Sequence, residues 1–145
     1  MLQYKNHRLC WEDLSFEIPD GFFLNSTPEL VQDNAVHLKS ADLSISVGVQ
    51  IDTTKLSPIE DLTTVLNEIG AVVITAPHAV DVHGASSCIA SYQSGQYTYY
   101  EVRLEHGFRN KEFEQMVVLI RVPTSPSDTD ICTSVFRALN LNKSV

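Results

Sequence analysis

Leu43-Ser44-Ile45-Ser46-Val47-Gly48-Val49-Gln50-Ile51 leads within a few residues into Ser57-Pro58-Ile59-Glu60, and the hydrophobic period changes between the two. In the first stretch Leu43, Ile45, Val47, Val49 and Ile51 alternate with Ser44, Ser46, Gly48 and Gln50, which predicts a β-strand with one buried face. In the second, Ile59, Leu62, Leu66 and Ile69 recur at helical spacing. Ser57 suits the N-cap, Pro58 the first helical position and Glu60 a capping box. Gly70 suits the left-handed position that ends a helix. A long alternating strand followed by a capped amphipathic helix places the chain in the α+β class.

Reading outward, strands are expected before and after this pair. Leu14 to Ile18 alternates, Pro19-Asp20-Gly21 supplies turn chemistry, and Phe22 to Leu24 resumes an extended apolar segment. Asn34 to Lys39 alternates again, with Ala41-Asp42 able to close a hairpin onto the Leu43 strand. Beyond Gly70, Ala71 to Thr75 and Ala79 to His83 read as two short strands separated at Pro77. Ala85 to Tyr92 and Tyr97 to His106 flank Gln93-Ser94-Gly95-Gln96 as a hairpin. Phe113 to Val122 follows as a long apolar strand. Ser125-Pro126-Ser127-Asp128 then opens a second helix, with Ile131, Cys132, Val135, Phe136 and Leu139 as its buried stripe. Neighbouring antiparallel strands are the expected arrangement.

The chain has 145 residues, 43% of them hydrophobic and 19% charged, which suits one domain over 1–145 with an ordinary core. Ten basic residues against eighteen acidic ones give a net charge of −8. Such a body repels phosphate and anionic lipid, so neither nucleic acid nor a membrane is an expected partner. Cys10, Cys88 and Cys132 are too few and too scattered for a disulfide framework, and free thiols suit a cytoplasmic location. The amino-terminal residues lack the apolar core of a signal peptide.

No spacing specifies a reaction. Cys88 alternates with Ala90 and Tyr92 as an inward strand residue, and Cys132 sits in an apolar helix stripe, so a packed thiol outweighs a nucleophile at either. His78 and His83 fall on opposite faces of a strand and make no zinc pair. Glu101 and Glu105 are about 13 Å apart along a strand, beyond the ~5–9.5 Å of paired glycosidase carboxylates. Gly84-Ala85-Ser86-Ser87-Cys88 lacks the second glycine of a nucleophile elbow. Asp128 and Asp130 at the start of the last helix complement its dipole. Glu101, Arg103 and Glu105 share one strand face, which reads either as a solvated sheet face or as a recognition surface. Tyr97 and Tyr99 on the same parity favour recognition, since Tyr and Arg anchor interfaces.

Phe16-Glu17-Ile18-Pro19-Asp20-Gly21-Phe22 resembles the F-x-(apolar)-P-x-G-(aromatic) opening of the DcrB/PsbP-like superfamily. The order of the later elements is similar to that superfamily over nearly the whole chain. The resemblance implies an antiparallel sheet of about six strands flanked by two amphipathic helices on its faces. It also implies binding and assembly work. Members include photosystem assembly subunits, a Ran-binding protein, bacterial lipoproteins and cytoplasmic chaperones for type VI secretion effectors. No catalytic residues, metal or cofactor carry over from it.

The expected function is therefore a non-enzymatic module that binds a protein partner through Tyr97, Tyr99, Glu101 and Arg103. A cytoplasmic chaperone for a secreted effector, working as a homodimer, is the first alternative. A thiol-dependent enzyme using Cys88 or Cys10 is the second.

Overall fold

The computed structural model describes residues 3–5, 8–11, 14–17, 21–25, 35–40, 45–82, 85–109, 111–123 and 142–143. Two antiparallel sheets and one helix make up these residues. The smaller sheet contains β1 (Gln3–Lys5), β2 (Arg8–Trp11), β3 (Leu14–Glu17) and β11 (Asn142–Lys143), in the order β1-β2-β3-β11. The larger contains β4 (Phe22–Leu24), β5 (Ala35–Ser40), β6 (Ser46–Thr54), β7 (Val72–Val82), β8 (Ala85–Ser94), β9 (Tyr97–Arg109) and β10 (Glu112–Pro123). Its order is β4-β5-β6-β10-β9-β8-β7. The helix α1 (Pro58–Ile69) lies in sequence between β6 and β7.

This order explains why a helix is needed where it stands. Every neighbouring pair in the large sheet is antiparallel, so β6 and β7 point the same way with three strands between them. Parallel strands cannot be joined by a hairpin and require a crossover. Helix α1 is that crossover. It is capped as the sequence predicts: Glu60 donates its backbone N–H to Ser57 Oγ at 3.4 Å, and Gly70 adopts φ 64°. The β8–β9 hairpin turns on Gly95-Gln96, between the paired Ser94 and Tyr97. Gly95 has φ 62°, the first-position glycine of a II′ turn.

Burial follows the alternation. On one face of the large sheet, Val36, Leu38, Val47, Val49, Val102, Leu104, Met116, Val118, Ile120 and Val122 form a core with Leu9 and Trp11 of the small sheet. On the other, Leu62 and Leu66 of α1 pack on Cys88, Ala90 and Tyr92.

Four expectations need correction. The large sheet has seven strands where about six were expected. The amino-terminal strands β1 and β2 were not anticipated. The segments around Pro77 form one strand, with the β7–β8 register shifting between Val73 and Thr75 and again between Thr75 and His78. Proline is tolerated there because β7 is an edge strand with bulges. Strand β6, expected over Leu43 to Ile51, begins at Ser46 and runs to Thr54. Among the described residues α1 is the one helix; the expected second helix, with Cys132, Asp128 and Asp130, lies outside them, as do Ile18-Pro19-Asp20, the Ala41-Asp42 turn, His7 and His83.

Candidate functional site

Antiparallel register sets the residues of the α1-facing surface in rows across the sheet. One row reads Lys39, Ser46, Arg121, Tyr99, Tyr92 and Val73 from β5 to β7. The next reads His37, Gly48, Leu119, Glu101 and Ala90. A third pairs Gln50, Val117, Arg103 and Cys88. Helix α1 packs on β7, β8 and β9, so among the described residues these rows divide into a half that the helix covers and a half that it leaves uncovered.

The covered half holds a buried polar network. Glu101 is 4% exposed and Arg103 6%. Tyr92 donates its hydroxyl to Glu101 Oε1 at 2.7 Å, and Arg103 donates Nε to Glu101 Oε2 at 2.8 Å. Arg103 Nη2 also lies 2.7 Å from Glu101 Oε2, while its Nη1 pairs with Asp61 of α1. Gln115 donates Nε2 to the same Asp61 oxygen at 3.3 Å, and its own Oε1 is buried without a partner. Burial opposes the Arg103 charge, but Glu101 and Asp61 outweigh it and raise the guanidinium above its usual pKa. Burial, reinforced by Glu101, likewise pushes the Tyr92 phenol up. The network fastens α1 to the sheet through charge-assisted bonds in a region of low dielectric.

This overturns the reading of Glu101 and Arg103 as part of a solvated face. Alternation alone does not say which face a helix covers. Of the four residues expected to bind a partner, Tyr97 is exposed, Tyr99 is half-buried, and Glu101 and Arg103 lie beneath α1. The four are still physically connected. The Tyr99 ring stacks on Tyr92 with centroids 5.2 Å apart and meets the edge of Tyr97 at 6.5 Å. The Arg121 guanidinium lies over Tyr97, 4.4 Å from the ring centroid. An aromatic ladder therefore runs from the buried network out to the uncovered half.

There, β6 contributes only small side chains, Ser46 and Gly48, between His37 and Lys39 on one side and Leu119, Arg121 and Tyr99 on the other. The result is a trough of about 410 Å³. Sequence reasoning missed its cations. Lys39 and Arg121 become neighbours only through the β5–β6–β10 register, and the connection from β6 to β10 is long-range. The turn around Lys111 alone would set Arg121 opposite Tyr100; a register shift between Glu114 and Gln115, which the sequence does not announce, brings it opposite Tyr99.

Cys88 is buried between Ala90 and the α1 side, and desolvation pushes its thiol from 9.0 to about 11. It is protonated at neutral pH and is a poor nucleophile there. Cys10 on β2 is half-buried and free. A cleft of about 130 Å³ beside Cys88 is lined by Ser57, Pro58 and Glu105. Among the described residues no cluster of His, Cys, Asp and Glu suits a metal ion. None of their helices is long and apolar enough to cross a membrane.

Among solved structures, LpqN of Mycobacterium tuberculosis, described as involved in cell envelope biogenesis, superposes with a TM-score of 0.61. The alignment covers 91% of this chain and 83% of LpqN at 9% identity. The chain resembles LpqN in fold. Protein PA94 of Pseudomonas aeruginosa, of unknown function and described as a putative regulator, matches at 14% identity over 94% of this chain and 90% of its own, with a TM-score of 0.48. A Bacteroides thetaiotaomicron protein matches over 92% of this chain and 46% of its own at 11% identity, with a TM-score of 0.46. No protein-family profile matches the sequence, and no curated protein matches it.

Proposed function

We propose that this chain is a non-enzymatic protein-binding module of the PsbP/DcrB-like type, acting in the cytoplasm, and that Tyr97 and Tyr99 meet the partner. Glu101 and Arg103 serve the same surface from beneath by holding Tyr92, on which Tyr99 stacks. The observation that carries the reading is the uncovered half of the α1-facing surface, where Tyr97 is 37% exposed beside Arg121. Aromatic and arginine side chains on a rigid support are the residues that dominate protein interfaces. The test is a pull-down of the tagged protein from its own cells, with Tyr97→Ala run beside it. A stoichiometric partner lost in the variant is the expected result. A wild-type protein that captures nothing above background, by pull-down and by cross-linking, removes the reading.

A second reading, the secretion chaperone, is favoured by a different observation. Ile69, Val72, Val73 and Ile74 are exposed together where α1 gives way to the edge strand β7. An apolar client segment could add to that edge as a further strand. This reading expects a homodimer, so a strictly monomeric mass in light scattering counts against it.

A further inference from the structure

We propose that the trough over Ser46 and Gly48 binds an acidic peptide segment of the partner, whose carboxylate is held between Lys39 and Arg121. This rests on the protein-binding reading above and names the chemistry of the partner.

Three observations carry it. The first is charge. The chain has a net charge of −8, yet the trough walls bring Lys39 and Arg121 together with no Asp or Glu among them. The register places Ser46 between these two residues, so their backbones are two strand spacings apart, roughly 10 Å. That gap leaves room for a carboxylate reached by both side chains.

The second is the state of Arg121. Its guanidinium carbon lies over the Tyr97 ring, 4.4 Å from the centroid, and its Nε is buried with no hydrogen-bond partner. The ion pairs shown among the described residues are those of Arg103, and none involves Arg121. A buried donor without an acceptor is costly, and a guanidinium edge matches a carboxylate with two parallel bonds. The fold thus positions an arginine against an aromatic ring and leaves its Nε donor unused.

The third is shape. Gly48 and Ser46 keep the floor low, and an added Cβ at Gly48 would meet the His37 ring at 3.9 Å, an ordinary contact. The trough is therefore open because small residues stand there, with no close packing that demands them. It adjoins the exposed Tyr97 ring, which extends the contact surface past a single carboxylate and favours a peptide over a small acid.

The test is a titration of the isotopically labelled full chain with a blocked hexaglutamate peptide, followed by amide chemical shifts. Hexaglutamine and sodium glutarate are the comparison probes. Saturable shifts at Lys39, Ser46, Gly48, Tyr99 and Arg121 with hexaglutamate are expected. Affinity should fall at least about tenfold in Arg121→Gln and in Lys39→Gln, as loss of a charge-assisted pair implies. Gly48→Val should abolish binding while its spectrum stays folded. The proposal is overturned if those amides do not move, if Arg121→Gln binds as well as wild type, or if hexaglutamine binds equally. Glutarate binding as tightly as hexaglutamate would overturn the peptide source. The pull-down separates the two readings. A partner retained by Arg121→Gln but lost by Tyr97→Ala overturns the carboxylate and keeps protein binding. Hexaglutamate seated in the trough with no protein captured supports the carboxylate and removes protein binding.

Discussion

At Arg103 one guanidinium serves two carboxylates, Glu101 on its own strand and Asp61 on the helix above. Arg103→Met leaves Glu101 buried and uncompensated, so a loss of about 3–5 kcal/mol is expected in urea denaturation. Adding Glu101→Leu to that variant should restore most of the loss, because the Asp61 side chain, at 21% exposure, reaches water. A double variant as unstable as the single one would show that the network acts through more than charge pairing. Cys88 gives a pH signature. The folded chain holds its proton more tightly than the unfolded chain, with a pKa of about 11 against 9.0, so this stability is intact below pH 9 and is lost as pH rises toward 11. The slope is about 1.4 kcal/mol per pH unit. Cys88→Ala should delay the decline until above pH 10, where the raised Tyr92 begins to contribute, as read by denaturation midpoints across that range. Alternation in the sequence was enough to put Cys88 inward and Glu101 with Arg103 on one face. It could not reveal Asp61, because a helical residue beside the apolar stripe looks solvent-facing until the helix is docked.

Helix α1 was the most legible element. Ser57, Pro58 and Gly70 fix its ends by local chemistry that no tertiary contact overrides. Gly70→Ala forces a side chain into φ 64° and should cost about 1 kcal/mol. Ser57→Ala removes the acceptor for Glu60 N–H and should cost a similar ~1 kcal/mol. Both are read by thermal or urea unfolding, and both should leave hexaglutamate binding unchanged, since neither residue touches the trough. Strand β7 was the least legible, because Pro77 normally ends a strand. Only its position at the sheet edge, which a local reading does not supply, makes the proline harmless. The same position leaves Val72 65% exposed on an edge that no described strand pairs. Val73→Lys should lower any concentration-dependent association seen by light scattering, since an edge lysine blocks strand addition.

Across the whole molecule, the antiparallel α+β character was readable because nearly every strand carries its own alternation and turn. The order of the strands was not readable, since it depends on β10 choosing β6 as well as β9. The trough inherits that difficulty, for its two cations sit on either side of that pairing. Strand β10 also has a consequence in time. It is the centre of the large sheet, yet it is made after every other strand in it. Until residue 123 has left the ribosome, β4-β5-β6 and β7-β8-β9 have no strand to join them, and each shows an open hydrogen-bonding edge. The sheet must therefore close only once β10 has emerged, in a late step with high contact order, and the nascent chain is exposed to mispairing until it does.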